Sequence, residues 1–397
     1  MSLVLLLQAC LLMVVHGSSD DFLCTSDVCE NVKCSTLPVG CNKTADGVVI
    51  SGVFLPDPSV CNCCDYCVST LKEGDRCIHA TSGAFTARAI CGDGLTCSED
   101  KKCVKINNTN CTRDQQKYDQ DKEQNKLGIS RWRPICDEHG EYGPVHCIPG
   151  SICYCIEPKN GERIFGEALY LSQDVTKRMT CGCSRSAWRA SQVPNFVQSA
   201  RCTADGSYES LQCVDNKCAC VSSVDGTIVD GSIVDLRDMH KGYPSCFDSQ
   251  QHAPGRYERK CEKFLFDKLR MEKSGFTVLN MPLPECTPDG RYARTQTTAD
   301  RRRICVDPEG EQIGHFGTSC GNTDCNCART LWLIEQAGVA EKPVCCSDGT
   351  FRAWQCRRAV CYCVDSKGNQ VSNDVDIADV KQLSCFNMTA CANSDSC

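Results

Sequence analysis

Cysteine is the residue whose number and spacing carry the most chemistry here: there are 39 in 397 residues. A thiolate can ligate zinc, attack a substrate or oxidise to a disulfide. Cys61, Cys63, Cys64 and Cys67 have the spacing of a zinc site in a reducing compartment. The start of the chain points the other way. Residues 3–15 are apolar but too short to span a bilayer, and Gly17, Ser18 and Ser19 follow. That layout reads as a secretory signal peptide over residues 1–19, cleaved after Gly17 or Ser19. Cys10 leaves with it, and the even set of 38 that remains reads as a disulfide framework in a secreted, extracellular protein.

Other chemistry is thin. Nucleophilic catalysis by cysteine needs a free thiolate, and every mature cysteine has a candidate partner. None of the seven histidines stands in a triad or metal-ligand context, and Asp20 with Asp21 reads as solvated surface. No glycine-rich phosphate loop or Gly-x-Ser-x-Gly elbow appears. The expectation is a protein that is not an enzyme, with no cofactor and no metal. A net charge of −7, spread along the chain, argues against a nucleic-acid partner, and no later segment is long and apolar enough for a membrane. Asn42, Asn107, Asn110 and Asn387 stand in Asn-x-Ser/Thr contexts that accept glycans in the secretory pathway.

The elements that must position these cysteines repeat. One rhythm recurs four times from Cys111 onward. Unit one uses Cys111, Cys136, Cys147, Cys153, Cys155 and Cys181; unit two uses Cys183, Cys202, Cys213, Cys218, Cys220 and Cys246. Unit four uses Cys327, Cys345, Cys356, Cys361, Cys363 and Cys385. Unit three keeps only Cys261, Cys286, Cys305 and Cys325, with Thr297 and Arg303 where the third and fourth cysteines would stand. Losing both together implies that these two are partners, since losing one would strand a thiol. A short loop of this kind is worth about 2 kcal/mol. Six residues after each second cysteine comes an aromatic, Tyr142, Tyr208, Tyr292 or Phe351, preceded by a glycine turn. The fold class is therefore small and disulfide-rich: a multi-module array of units, each a short helix plus a small antiparallel hairpin, with few strands and many loops. Helices are predicted after the first cysteine in units one, three and four.

The boundaries follow: a module over 20–106, unit one over 107–181, unit two over 182–246, a flexible linker over 247–260, unit three over 261–325, unit four over 326–385 and a tail over 386–397. Units one and three share long first intervals, units two and four shorter ones, and single residues, Gly182 and Asn326, join each pair. The array reads as a duplicated pair. By elimination, Cys320 is assigned to Cys346 and Cys391 to Cys397.

Cys136, Gly140 and Tyr142, followed by Cys153-Tyr154-Cys155, resemble the Cys-x-x-x-Gly-x-Tyr and Cys-Trp-Cys-Val motifs of the thyroglobulin type-1 family, although no unit has Trp between its fourth and fifth cysteines. The resemblance implies pairing of first with second, third with fourth and fifth with sixth cysteines. In unit one that gives Cys111–Cys136, Cys147–Cys153 and Cys155–Cys181; in unit two, Cys183–Cys202, Cys213–Cys218 and Cys220–Cys246. In unit three it gives Cys261–Cys286 and Cys305–Cys325, and in unit four Cys327–Cys345, Cys356–Cys361 and Cys363–Cys385.

Residues 24–103 hold twelve cysteines, and Cys61 to Cys67 with Cys91, Gly92, Gly94, Leu95 and Cys97 resemble the N-terminal domain of insulin-like growth factor-binding proteins. Asn62 replaces a motif glycine. Only residues 98–102 separate the last two cysteines, where that family has a longer leucine-rich hormone-contacting segment. A growth-factor peptide partner and a plain spacer role both stay open for this module.

Some thyroglobulin type-1 domains, the thyropins, inhibit papain-like cysteine proteases by wedging loops into the active-site cleft. An equistatin-like, non-covalent inhibitor with a cathepsin-type cysteine protease as partner is what the resemblance implies. Carried onto unit one, the loops are Leu127, Gly128, Ile129, Ser130 and Arg131, then Ile148, Pro149, Gly150, Ser151 and Ile152. Unit four offers Gly338, Val339 and Ala340 with Arg357, Arg358, Ala359 and Val360; unit two offers residues 193–196 and 214–217. Unit one is the first choice and unit three the last. Arg291, Arg294 and Arg301 to Arg303 fit a glycosaminoglycan contact or a protease-cut site, although such a run is more often a solvated loop.

Overall fold

The structure is a computed structural model. It describes residues 37, 41–43, 49–51, 53–55, 66–77, 89–92, 94–98, 100–137, 139–170, 174–192, 200–214, 217–241, 244–252, 257–274, 282–318, 323–386 and 391. The signal segment, Cys320, Asn387 and Cys397 lie outside them. No helix among the described residues is long and apolar enough to cross a membrane.

Each unit is a helix followed by a three-stranded antiparallel sheet. The helices are Asn110–Glu123, Gly182–Ser191, Lys260–Lys273 and Asn326–Gln336, so unit two also carries one. Each first cysteine is buried on its helix and bonded to the second, which brings helix and sheet together. The aromatic six residues on bridges back to that second cysteine, as in Cys136↔Tyr142 and Cys345↔Phe351. Bridges replace much of the apolar core that a unit this small cannot assemble. Fifteen disulfides lie among the described residues.

The third and fourth cysteines face each other across the first two strands: Cys147↔Cys153, Cys213↔Cys218 and Cys356↔Cys361. In unit three the same register position pairs Thr297 with Arg303, and Arg303 Nη1 donates to Thr297 Oγ1 at 3.1 Å. A side-chain hydrogen bond stands where the sulfur bridge was lost.

Two expected pairings are overturned together. Cys346 bonds to Cys391, with Cα atoms 5.0 Å apart, and neither Cys320–Cys346 nor Cys391–Cys397 forms. Cys363–Cys385 returns the chain to unit four, and the few residues after it are enough to bring Cys391 to the turn at Cys346. Assignment by elimination could not sense that return.

Within each pair the junction is built alike. Cys181 and Cys325 cap the following helices in the left-handed region, at φ of 56° and 50°. Their bonds to Cys155 and Cys305 hold that conformation. Four residues on, Arg185 donates from Nε to the Ile156 carbonyl at 2.9 Å and from Nη2 to the Tyr142 carbonyl at 2.6 Å. Arg329 does the same to Val306 (3.0 Å) and Tyr292 (3.2 Å). The planar guanidinium spans two carbonyls of the neighbouring unit at once.

The stretch expected to be a flexible linker is packed where it is described. Phe247 and Tyr257 pack against the Leu211 cluster of unit two, and His252 is buried against Glu209. Arg201 pairs with Glu262 at 2.6 Å, and the Cys202 amide donates to the Pro288 carbonyl, so unit two also touches unit three. In the N-terminal module, strand Tyr66–Leu71 pairs with Val53–Leu55 and with Ala89–Cys91, and Cys41–Cys67, Cys77–Cys97 and Cys91–Cys103 close it.

Candidate functional site

The first unit-one loop leaves the helix after Glu123 and is held by Arg131, whose guanidinium pairs with Asp121 on that helix at 3.2 Å. Its turn closes through the Arg131 amide donating to the Gly128 carbonyl. The second loop is a hairpin tip: Cys147–Cys153 clamps its base, the Ile148 amide donates to the Ile152 carbonyl, and Gly150 turns the chain at φ 73°. Both loops are pre-shaped, which lowers the ordering cost of any contact they make.

They already make one. Both are seated on unit four. The Ile129 amide donates to Asp374 Oδ2 at 3.0 Å and the Ser130 amide to Gln370 Oε1 at 2.8 Å. Ser130 Oγ donates to Tyr362 Oη, Arg131 Nη1 to the Gln370 carbonyl, and Arg357 Nη1 to the Pro149 carbonyl. Beside the loops, Tyr154 Oη donates to Asn369 Oδ1 at 2.8 Å, and Lys367 pairs with Glu162 at 2.7 Å. Ser130, Ile148 and Ile152 are buried, Leu127, Pro149, Gly150 and Ser151 partly so, and Ile129 is exposed.

Glycine is what permits this approach. A Cβ on Gly128 would stand 1.7 Å from Gln370 Nε2, and one on Gly150 would stand 1.8 Å from Arg357 Nη2. Burial raises the Tyr362 phenol above its ordinary range, so it stays protonated and able to hydrogen-bond. Tyr362 stands between the fourth and fifth cysteines of unit four, as Tyr154 does in unit one, but nothing in the repeat marks it or Asn369, Gln370 and Asp374 as loop contacts, and sequence reasoning missed that role. The one available signal was a glycine within each loop, Gly128 and Gly150.

The loops of unit four are more open. Gly338 and Ala340 are exposed, and Arg358 and Ala359 form the exposed tip of the Cys356–Cys361 hairpin at φ of 48° and 67°. Two non-glycine residues in the left-handed region are held there by the bond at the hairpin base. In unit two, residues 193–196, 215 and 216 lie outside the described residues. In unit three, four arginines of the cluster are paired with acids, Arg291 with Glu309, Arg294 with Glu167, Arg302 with Asp300 and Arg303 with Glu285, while Arg301 is exposed. Of the glycan candidates, Asn107 is exposed, whereas the Asn110 amide donates to the Lys159 carbonyl.

Comparison with known proteins agrees with this repeating geometry. The thyroglobulin type-1 repeat family matches residues 111–173, 182–241 and 334–382. These three stretches are similar to thyroglobulin type-1 repeats. The matched stretches fall in units one, two and four, the three that keep all six cysteines. Residues 11–115 match a second family, described as fungal protease inhibitor. Equistatin of Actinia equina is 26% identical over 191 residues, covering 47% of this chain and 74% of that protein. Thyroglobulin of Bos taurus is 29% identical over 168 residues, 40% of this chain but only 5% of thyroglobulin. U24-ctenitoxin-Pn1a of Phoneutria nigriventer is 25% identical over 129 residues, 32% of this chain and 80% of that protein.

Proposed function

We propose that this chain is a secreted, non-catalytic inhibitor of proteases, with papain-type cysteine proteases as its principal targets. The observation that carries the reading is the exposed, disulfide-clamped hairpin tip of unit four, Arg358 and Ala359, beside the exposed residues Gly338 and Ala340. A rigid protruding edge of this kind enters a cleft at small entropic cost. The thyropin resemblance supplies the target class, and similarity to equistatin supports it. The fungal protease inhibitor match extends the inhibitor reading to the N-terminal module. There Cys97 faces Cys103 across two strands and the Ser98 amide donates to the Lys102 carbonyl, so a short connection stands where the growth-factor-binding family has a longer hormone-contacting segment. The density of disulfides supports an extracellular setting. Unit four carries the more accessible wedge in the folded array, and the unit-one loops form a second wedge that is largely covered, with Ile129 still exposed.

The test is a titration of the full chain into active-site-counted papain, with a serine protease in parallel. One equivalent of chain is expected to abolish papain hydrolysis of a peptide substrate. Undiminished activity of both enzymes at micromolar chain would end the inhibitor reading.

A further inference from the structure

We infer that unit four is an intramolecular competitor of the protease: it sheathes the unit-one loops, and opening that contact releases a second inhibitory site. The inference rests on the inhibitor reading of unit one's loops. It adds a regulation of that site, with this chain's own fourth unit as the occupant.

The loop groups that a protease cleft would engage are taken. The main-chain amides of Ile129 and Ser130 are held by Asp374 and Gln370, and the Pro149 carbonyl is held by Arg357. Nothing can enter between them, because the partner side chains lie inside the space a Cβ would need at Gly128 and Gly150. A protease and unit four therefore cannot hold these loops together.

The contact is also built to open. Its polar part is side-chain hydrogen bonds from Tyr362, Asn369, Gln370 and Asp374, which water can replace, and Leu333 of unit four packs against the unit-one core beside them. Mixed contacts of this kind between units of one chain exchange more readily than a large apolar interface. The junctions inside each pair differ: a single residue joins the units there, and cysteines flank it on both sides. Opening between units one and four breaks no covalent bond among those described. If the open form is about 1% of the population, apparent affinity at unit one falls about a hundredfold. Arg358 and Ala359 at unit four's own tip stay exposed in the covered form, while their neighbour Arg357 takes part in the contact.

The experiment uses the full chain, wild type and the double variant Gln370→Ala with Asp374→Ala. Asp374→Asn serves as a milder second variant should the first fail to fold. Two quantities are read: hydrogen exchange at the amides of Ile129 and Ser130, and equivalents of papain bound per chain. The expected result is slow exchange and one equivalent for wild type, with faster exchange and two equivalents for the variants. Wild type binding two equivalents, or unprotected Ile129 and Ser130 amides in wild type, would overturn the inference. Faster exchange in the variants with papain still at one equivalent would also overturn it, while leaving inhibition by the chain intact. No papain bound by any form would remove the inhibitor reading itself, and this inference with it.

Discussion

Ser130 Oγ lies 2.8 Å from Tyr362 Oη, a buried hydrogen bond that joins the first unit of the array to the fourth across 232 residues of chain. With the unit-two to unit-three contact at Arg201 and Glu262, it closes a string of four units on itself. At the same centre, Glu167 of unit one faces Arg294 of unit three at 3.9 Å, and burial pushes that guanidinium down to about 10.

Removing the Tyr362 hydroxyl should loosen this closure. Tyr362→Phe leaves Ser130 Oγ buried without a partner, and such an orphan costs about 1–3 kcal/mol. Chemical denaturation of the variant is expected to show a lower midpoint. Ser130→Ala together with Tyr362→Phe should cost less than Tyr362→Phe alone, because no orphan remains. An equal or larger cost for the pair would contradict the bond.

The missing bridge of unit three should be restorable. Thr297 and Arg303 are direct cross-strand partners, as the bonded cysteines are in the other units. Thr297→Cys with Arg303→Cys is expected to oxidise spontaneously, and closing so short a loop is worth about 2 kcal/mol in the chain-entropy estimate. Loss of the Arg303 bond to Glu285 offsets part of this gain, since that pair is only partly exposed. Intact mass and thermal unfolding report the outcome; two free thiols after oxidation would refute the register.

Arg185 and Arg329 should tolerate lysine equally badly. A point ammonium cannot span both carbonyls that each guanidinium reaches. Each substitution is expected to cost about 1–2 kcal/mol, one buried hydrogen bond with its unsatisfied acceptor. Thermal denaturation of the two single variants measures it. A large effect in one pair and none in the other would argue against a shared junction.

Acid should weaken the closure through His146. Its ring stacks beside Tyr154, 5.2 Å between centres, with Asn369, Asp365 and Lys367 of unit four around it. Burial pushes its imidazole from 6.5 down to about 4. The packed state therefore holds the ring neutral, while an opened state binds a proton below about 6.5. This contribution is unchanged at higher pH, weakens the closure progressively from about 6.5 to about 4, and levels off below that. The slope is at most about 1.4 kcal/mol per pH unit. Exchange at the Ser130 amide, followed from pH 7 to pH 4.5, should accelerate in wild type and much less in His146→Gln.

Local periodicity made the units legible. Cysteine spacing, the aromatic six residues on, and the paired loss at Thr297 and Arg303 are short-range patterns, because each hairpin is built within a few dozen residues. The single-residue links were equally visible, and the structure adds the reason they hold: a left-handed cysteine and an arginine fork at each. The unit-two helix escaped notice because Gly182–Ser191 carries few large apolar residues to mark a period, unlike the leucine-rich helix of similar length in unit four. The Cys346–Cys391 bond escaped because elimination ignores where the tail returns. The covering of Ile129, Ser130 and Pro149 by unit four lay beyond sequence reading altogether. Its hydrogen bonds join single polar side chains more than 200 residues apart, and such contacts leave no period, motif or composition behind. Sequence determined what each unit is; only the tertiary structure decided which loops face outward, because side chains distant in the chain compete with solvent for the same backbone groups.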